Sequence, residues 1–152
     1  SAVLIIGCND DKDDHKVGAS FETALSEKYP GATKVEWEKK KDWTVAEFYW
    51  KGQEYEVWYD TKATWLMTVI DEVFYRDFPE AVKNSFETGD YTGWRIDDVE
   101  IIELKDHPTL YLLEVEQGKE EYNLYYHEDG SLSKVIEDNT REHWKHITAF
   151  FQ

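Results

Sequence analysis

Hydrophobic side chains recur along the chain with two periods, and the switch between them marks the elements. Phe21, Leu25 and Tyr29 fall at i, i+4 and i+8, with Ala24 and Lys28 between, a helical spacing that Pro30-Gly31 ends. Ser20 or a polar residue upstream is the expected cap. The same spacing returns at Phe78, Val82 and Phe86, with Pro79 suited to a first-turn position and Gly89 to a C-terminal stop. After each helix the period falls to two, the signature of strands whose side chains alternate between faces. The alternation predicts strands over 33–39, 43–50, 53–60 and 64–70, then over 99–105, 110–116, 121–127 and 132–136. Lys51-Gly52 is a hairpin signal and Asp60-Thr61-Lys62-Ala63 a turn; Gln117-Gly118-Lys119 and Glu128-Asp129-Gly130 are their later counterparts. Residues 140–151 return to helical spacing, with Trp144, Ile147 and Phe151 on one face.

A constant offset of 67 superimposes the two halves. Glu54-Tyr55-Glu56-Val57-Trp58-Tyr59 falls on Glu121-Tyr122-Asn123-Leu124-Tyr125-Tyr126, and Val35-Glu36-Trp37 on Ile102-Glu103-Leu104, keeping hydrophobic class over more than 30 positions. The expected fold is therefore α+β: a tandem duplication of a helix followed by a four-stranded antiparallel sheet, with both helices packed on one face of the combined sheet. The organisation reads as a signal remnant and acidic linker over 1–19, a first repeat over 20–70, a second over 71–138 and a helical extension over 139–152. The helices are offset by 57 instead of 67, so about ten extra residues near Asp90-Tyr91-Thr92-Gly93-Trp94 form a candidate recognition loop.

Strand parity sorts the side chains. Tyr55, Val57, Tyr59, Tyr122, Leu124 and Tyr126, with Ala46, Phe48, Leu113 and Val115, make an apolar layer for the helices to cover. The other parity carries Trp43, Val45, Glu47, Tyr49, Glu54, Glu56 and Trp58, then Leu112, Glu114, Glu116, Glu121, Asn123 and Tyr125. A one-sided antiparallel sheet has a polar outer face, and rings suit pleated surfaces, so any single ring there needs no functional explanation. The set is different, because Trp43, Tyr49, Trp58 and Tyr125 together would form an exposed patch of rigid anchors. The candidate binding residues are Trp43, Glu47, Tyr49, Glu56, Trp58, Trp94, Glu114 and Tyr125.

Composition narrows the partners. A net charge of −16 in 152 residues excludes an electrostatic nucleic-acid binder and disfavours anionic lipid, since both require clustered Lys and Arg. The acidic outer face favours a basic partner. Seven Trp, ten Tyr and seven Phe exceed what a small core requires, which directs some rings toward a partner. The single Cys excludes an internal disulfide and Cys-rich zinc sites. Ile5-Ile6-Gly7-Cys8 resembles a bacterial lipobox, and Asn9-Asp10-Asp11-Lys12-Asp13-Asp14 behind it has the composition of a tether. The resemblance implies acylation of Cys8, with the membrane touched only through that lipid. The alternative is an edge strand over 3–6 with Cys8 as an inert core thiol.

The Tyr29-Pro30-Gly31-Ala32 helix end, and the strand from Glu54 to Asp60 before a turn and Trp65, are similar to the PepSY-like proteins with the beta-lactamase-inhibitor-like fold. The resemblance covers roughly 20–136. It implies an outer-membrane lipoprotein, periplasmic or surface-exposed, without enzymatic activity or cofactor, that binds and in some cases inhibits another protein through the sheet face and loops. The inhibitor that gives the fold its name carries disulfides, which this chain lacks, so core burial must supply its stability and no specific target transfers.

Catalytic constellations are absent from the sequence pattern: no G-x-S-x-G, no phosphate-binding glycine loop, no supported Cys-His pair. His143 and His146 stand at i, i+3 with no evident third ligand, the pattern of a solvated terminal helix, so no metal is assigned. Glu56 and Glu114 are conceivable glycosidase carboxylates, but strands supply such pairs routinely. Three readings follow: a protein-binding envelope module, which predicts a shallow concave sheet face, exposed Trp43 and Trp58 and no deep pocket; a small-ligand or glycan binder, which predicts a groove with the same rings arranged coplanar to a sugar; and, least favoured, a hydrolase, which predicts a cleft with a shifted carboxylate or a bound metal.

Overall fold

The computed structural model describes residues 17–138, 146 and 150. Cys8, the acidic linker up to Lys16, His143, Trp144, Ile147 and Phe151 lie outside the described residues. The order is α1 (Ala19–Lys28), β1 (Thr33–Lys40), β2 (Trp43–Trp50), β3 (Gln53–Tyr59), β4 (Trp65–Ile70), a 3-10 turn (Tyr75–Asp77), α2 (Glu80–Thr88), β5 (Arg95–Leu104), β6 (Leu110–Gln117), β7 (Glu120–Tyr126) and β8 (Leu132–Glu137). The strands are hydrogen-bonded in chain order in one eight-stranded antiparallel sheet, which corrects the expected four-stranded sheets. The physical reason is that unpaired strand edges expose N–H and C=O groups that recruit a further strand. Two compact units divide the chain: unit 1 ends at Glu72 and includes Glu103–Asp106, and unit 2 comprises Val73–Ile102 and the chain from His107. Each has its own core.

In unit 1, α1 starts at Gly18, whose carbonyl accepts from the Phe21 N–H at 3.1 Å. No side chain caps it, and Ser20 lies inside the helix instead of at the cap. The helix buries Leu25, and Tyr29 follows it into a core of Ala46, Phe48, Tyr55, Val57 and Tyr59. Tyr29 packs its ring 5.1 Å from Phe48, and its hydroxyl shares a 2.7 Å hydrogen bond with Thr68 Oγ1. Trp65 Nε1 donates to the same oxygen at 2.8 Å, so a buried threonine is satisfied from two sides. Trp50 Nε1 donates to the Pro30 carbonyl at 2.8 Å and ties the helix end to β2. The β2–β3 hairpin places Lys51 and Gly52 at φ 51° and 81°, both left-handed, the backbone that matches strand twist in a two-residue turn.

In unit 2, Pro79 sits at the N-cap of α2, one position before the expected first turn, and Gly89 is the C-cap as its sequence position predicts. Phe78, Val82 and Phe86 pack on Val99, Leu113, Val115, Leu124 and Tyr126. The turn between β7 and β8 runs close to α2: at Gly130, φ is +90° and a Cβ would fall 2.5 Å from the Ala81 carbonyl oxygen. Only glycine fits there. In the extra segment near Asp90, Asp90, Thr92 and Gly93 are exposed and the two rings are engaged with the core. Tyr91 and Trp94 pack edge-on at 5.1 Å and lie 5.6 and 5.8 Å from the Tyr122 ring, forming an aromatic cap on the core.

Candidate functional site

The face turned away from each helix carries the ionisable and aromatic side chains singled out in the sequence, and in both units it is largely buried. In unit 1 the register pairs Glu47 with Glu56 and Val45 with Trp58 across β2 and β3, then Glu56 with Val69 and Trp58 with Met67 across β3 and β4. Trp58 is 0% exposed, and Val45, Met67, Val69 and Glu56 are buried with it. This corrects the expectation of an exposed Trp58 and a solvated outer face. Alternation assigns a residue to a face, but it cannot say whether that face meets water or further packing.

The buried polar groups here are partnered. Trp58 Nε1 donates to Glu56 Oε1 at 3.0 Å, and Trp43 meets the Trp58 ring edge-on at 5.6 Å. The Lys40 ammonium lies 5.5 Å from the Trp58 ring centroid. Burial holds the Glu47 carboxyl above its ordinary pKa, and the negative charge of Glu56 and a hydrogen bond with it push in the same direction. Tyr49, on the same strand, is 39% exposed, with Lys34 Nζ 5.5 Å from its ring. Nearby Glu54 and Glu72 push the Tyr49 hydroxyl pKa upward.

In unit 2 the register places Asp98 beside Glu114 and Glu114 beside Asn123. One row along, it places Glu100 beside Leu112 and Leu112 beside Tyr125. One carboxylate oxygen from each of Asp98, Glu100 and Glu114 lies within 4.8 Å of the others. Tyr125, expected on an exposed patch, is 0% exposed. Burial drives its hydroxyl pKa far upward, and the charges of Glu100 and Glu114 add to the effect. The Tyr125 hydroxyl lies 2.7 Å from His146 Nδ1, and His146 Nε2 lies 3.2 Å from Glu100 Oε1. Far from sitting on a solvated terminal helix, His146 is 0% exposed. The Phe150 ring stands edge-on to Tyr125 at 5.2 Å and to His107 at 6.2 Å, with Lys134 Nζ 4.7 Å from its centroid.

The candidate residues thus separate. Trp43, Glu47, Tyr49, Glu56 and Trp58 share the outer face of unit 1; Glu114 and Tyr125 lie on that of unit 2; Trp94 packs on the opposite, helix-covered side. Glu56 and Glu114 belong to different units, each engaged with its own neighbours. Asp98, Glu100, His146 and Phe150 were not among the candidates, because the pairing of β5 with β6 and the placing of a residue 21 positions beyond Tyr125 are not encoded in local periodicity. The Asp98, Glu100 and Glu114 trio has a spacing that a cation could bridge, yet each of the three already takes part in a hydrogen bond or electrostatic contact. Buried Trp58 and Tyr125 offer no ring face on which a sugar could stack.

Residues 44–134 match the family described as "Putative beta-lactamase-inhibitor-like, PepSY-like". A BLIP-like protein from Bacteroides fragilis is 35% identical, with a TM-score of 0.79, and the match covers 85% of this chain and 93% of that one. A DUF2874 family protein from Bacteroides ovatus shares the fold at 24% identity and a TM-score of 0.82, over 90% of this chain and 99% of that one. A Bacteroides eggerthii structure described as "putative periplasmic proteins" does so at 22% identity and a TM-score of 0.74, over 80% and 89%. No curated protein matches the chain.

Proposed function

Because the chain belongs to the PepSY-like, beta-lactamase-inhibitor-like family, we propose that it is a non-catalytic, inhibitor-like cell-envelope module that binds another protein. The single observation that carries this reading is in unit 2, where the outer sheet face already receives protein side chains: Glu100 and Tyr125 hold His146, and Tyr125 packs on Phe150. The carboxylates of that face suit a basic partner, by charge complementarity. The outer face of unit 1, taken by itself, carries Glu47, Trp43 and exposed Tyr49, a similar mix of carboxylate and rings.

The reading includes an origin by tandem duplication. The 67-residue offset also separates the first residues of β2 and β6, of β3 and β7, and of β4 and β8. It further includes a lipid anchor on Cys8 and residence at the outer membrane; the lipobox-like Ile5-Ile6-Gly7-Cys8 and the periplasmic description of the B. eggerthii structure support an envelope location. Two or three acyl chains suffice for stable anchoring, at about 0.8 kcal/mol per buried CH₂.

The test is crosslinked capture from envelope extract with the full chain, wild type against Asp98→Lys and, separately, against Tyr49→Ala, one exposed position on the outer face of each unit. A partner held by wild type and lost by either variant supports the outer face of that unit as the binding surface. Equal capture by all three places binding elsewhere, and no capture by wild type ends the protein-binding reading.

A further inference from the structure

On the outer face of unit 2, one row of the sheet runs through Asp98, Glu114 and Asn123 on β5, β6 and β7, and Glu100 stands two residues along β5 on the same side. One carboxylate oxygen from each of Asp98, Glu100 and Glu114 lies within 4.8 Å of the other two. Glu100 is buried, Glu114 half-buried and Asp98 exposed, so the group grades from the interior of the unit to water.

Three acids on neighbouring strands are by themselves no more than a charged cluster, and Asn123 changes that. It is 1% exposed, and its Oδ1 is buried with no hydrogen-bond donor among the described residues. The side chain donates a hydrogen bond toward the Tyr125 hydroxyl, which engages the amide nitrogen and leaves the oxygen as the unsatisfied end. A carbonyl oxygen taken out of water without a donor destabilises the fold unless something positive meets it. Asn123 is paired directly with Glu114, so the two side chains stand next to each other on the face that carries the acids. In unit 1 the matching pair is Glu47 and Glu56, whose two carboxyls hydrogen-bond through a proton. Unit 2 has an amide in the second position, and its row is a set of oxygens in need of a cation.

The donors define which cation. The His146 nitrogens are turned to Tyr125 and Glu100, so the set consists of carboxylate and amide oxygens, the ligands of a hard ion. Calcium takes about six to eight oxygens at roughly 2.3–2.6 Å, so two of its ligand atoms stand up to about 5 Å apart, a span that the three carboxylates satisfy. A carboxylate accepts at about four lone-pair positions, so the contacts these acids already make do not use them up. We propose that Asp98, Glu100, Glu114 and the Asn123 amide oxygen form a calcium site that ties β5, β6 and β7 together on the outer face of unit 2. Water completes the shell from the Asp98 side. The ion offsets the crowded negative charge and, binding the folded chain alone, stabilises it.

The experiment titrates the full chain, first stripped with a chelator, with calcium chloride at fixed ionic strength, by calorimetry and by thermal unfolding. Wild type should show one saturable site with a Kd of about 10⁻⁴–10⁻³ M, and its unfolding midpoint should rise with calcium. Glu114→Gln and Asp98→Asn should each weaken binding at least about tenfold. Asp97→Asn makes the same charge change at a carboxylate paired with Arg95 and should leave affinity unchanged. Magnesium, which demands shorter bonds, should bind more weakly. No saturable binding by wild type at about 10 mM calcium overturns the proposal, as does equal affinity of wild type and both site variants. A loss in Asp97→Asn as large as that in Asp98→Asn overturns it too, because the heat would then report screening of the net charge of −16. Near-UV circular dichroism checks that each variant is folded; if Glu114→Gln is not, Asp98→Asn at the exposed position decides.

Discussion

The Tyr125 hydroxyl and His146 Nδ1 lie 2.7 Å apart in a fully buried pair that joins β7 to a residue 21 positions later. A buried donor or acceptor left without its partner loses its hydration with nothing in return. Tyr125→Phe keeps the ring contacts with His146 and Phe150 but removes the hydroxyl. It should cost about 1–3 kcal/mol of unfolding free energy in urea. A cost within a few tenths would mean that the imidazole finds another partner.

The Glu47 carboxyl is held above the ordinary value of 4.5, first by burial and then by Glu56. A carboxyl with a raised folded-state pKa favours folding while both states are protonated, below the unfolded value, and that contribution is lost as pH rises through the folded value. Glu47→Gln should therefore match wild type at acidic pH and become the more stable of the two as pH rises to neutrality. Denaturation at a series of pH values reads this directly, and parallel curves would show that Glu47 does not titrate differently in the fold.

Trp58 is a structural residue before it can be a binding one. Trp58→Ala removes a fully buried indole and its hydrogen bond to Glu56, and should cost about 3–5 kcal/mol. Thermal unfolding checks it. A loss of partner capture by that variant would consequently report unfolding and not recognition.

Gly130 and Gly52 separate backbone strain from steric clash. Both have left-handed φ, but a Cβ at Gly52 meets nothing within 4 Å, whereas one at Gly130 meets the Ala81 carbonyl oxygen at 2.5 Å. Gly52→Ala should cost about 1 kcal/mol from conformation alone. Gly130→Ala should exceed it by about 1–3 kcal/mol, because α2 or the turn must move. Equal costs in urea unfolding would show that the turn relaxes freely.

The lipid anchor is open to mass measurement. Full-length protein expressed in a Gram-negative envelope should carry acyl chains on Cys8, and Cys8→Ser should be released into the soluble fraction. An unmodified thiol on the membrane-bound protein would remove the anchor from the reading.

By itself the sequence determined what depends on neighbours in the chain. Strand alternation placed Tyr55, Val57 and Tyr59 on the helix-covered side, and Lys51-Gly52, Gly89 and Gly130 fell at the turns and stops where backbone geometry demands them. The PepSY-like resemblance was legible for the same reason, since it rests on that strand pattern and the Pro30-Gly31 helix end. What only the tertiary structure decided was the environment of the other face. Parity gives Trp58 and Tyr125 a side of the sheet, but burial depends on what lies beyond it, which no local period records. The joining of eight strands in one sheet and the meeting of Glu100, Tyr125 and His146 are likewise long-range events, fixed by edge pairing and by the need to satisfy buried polar groups.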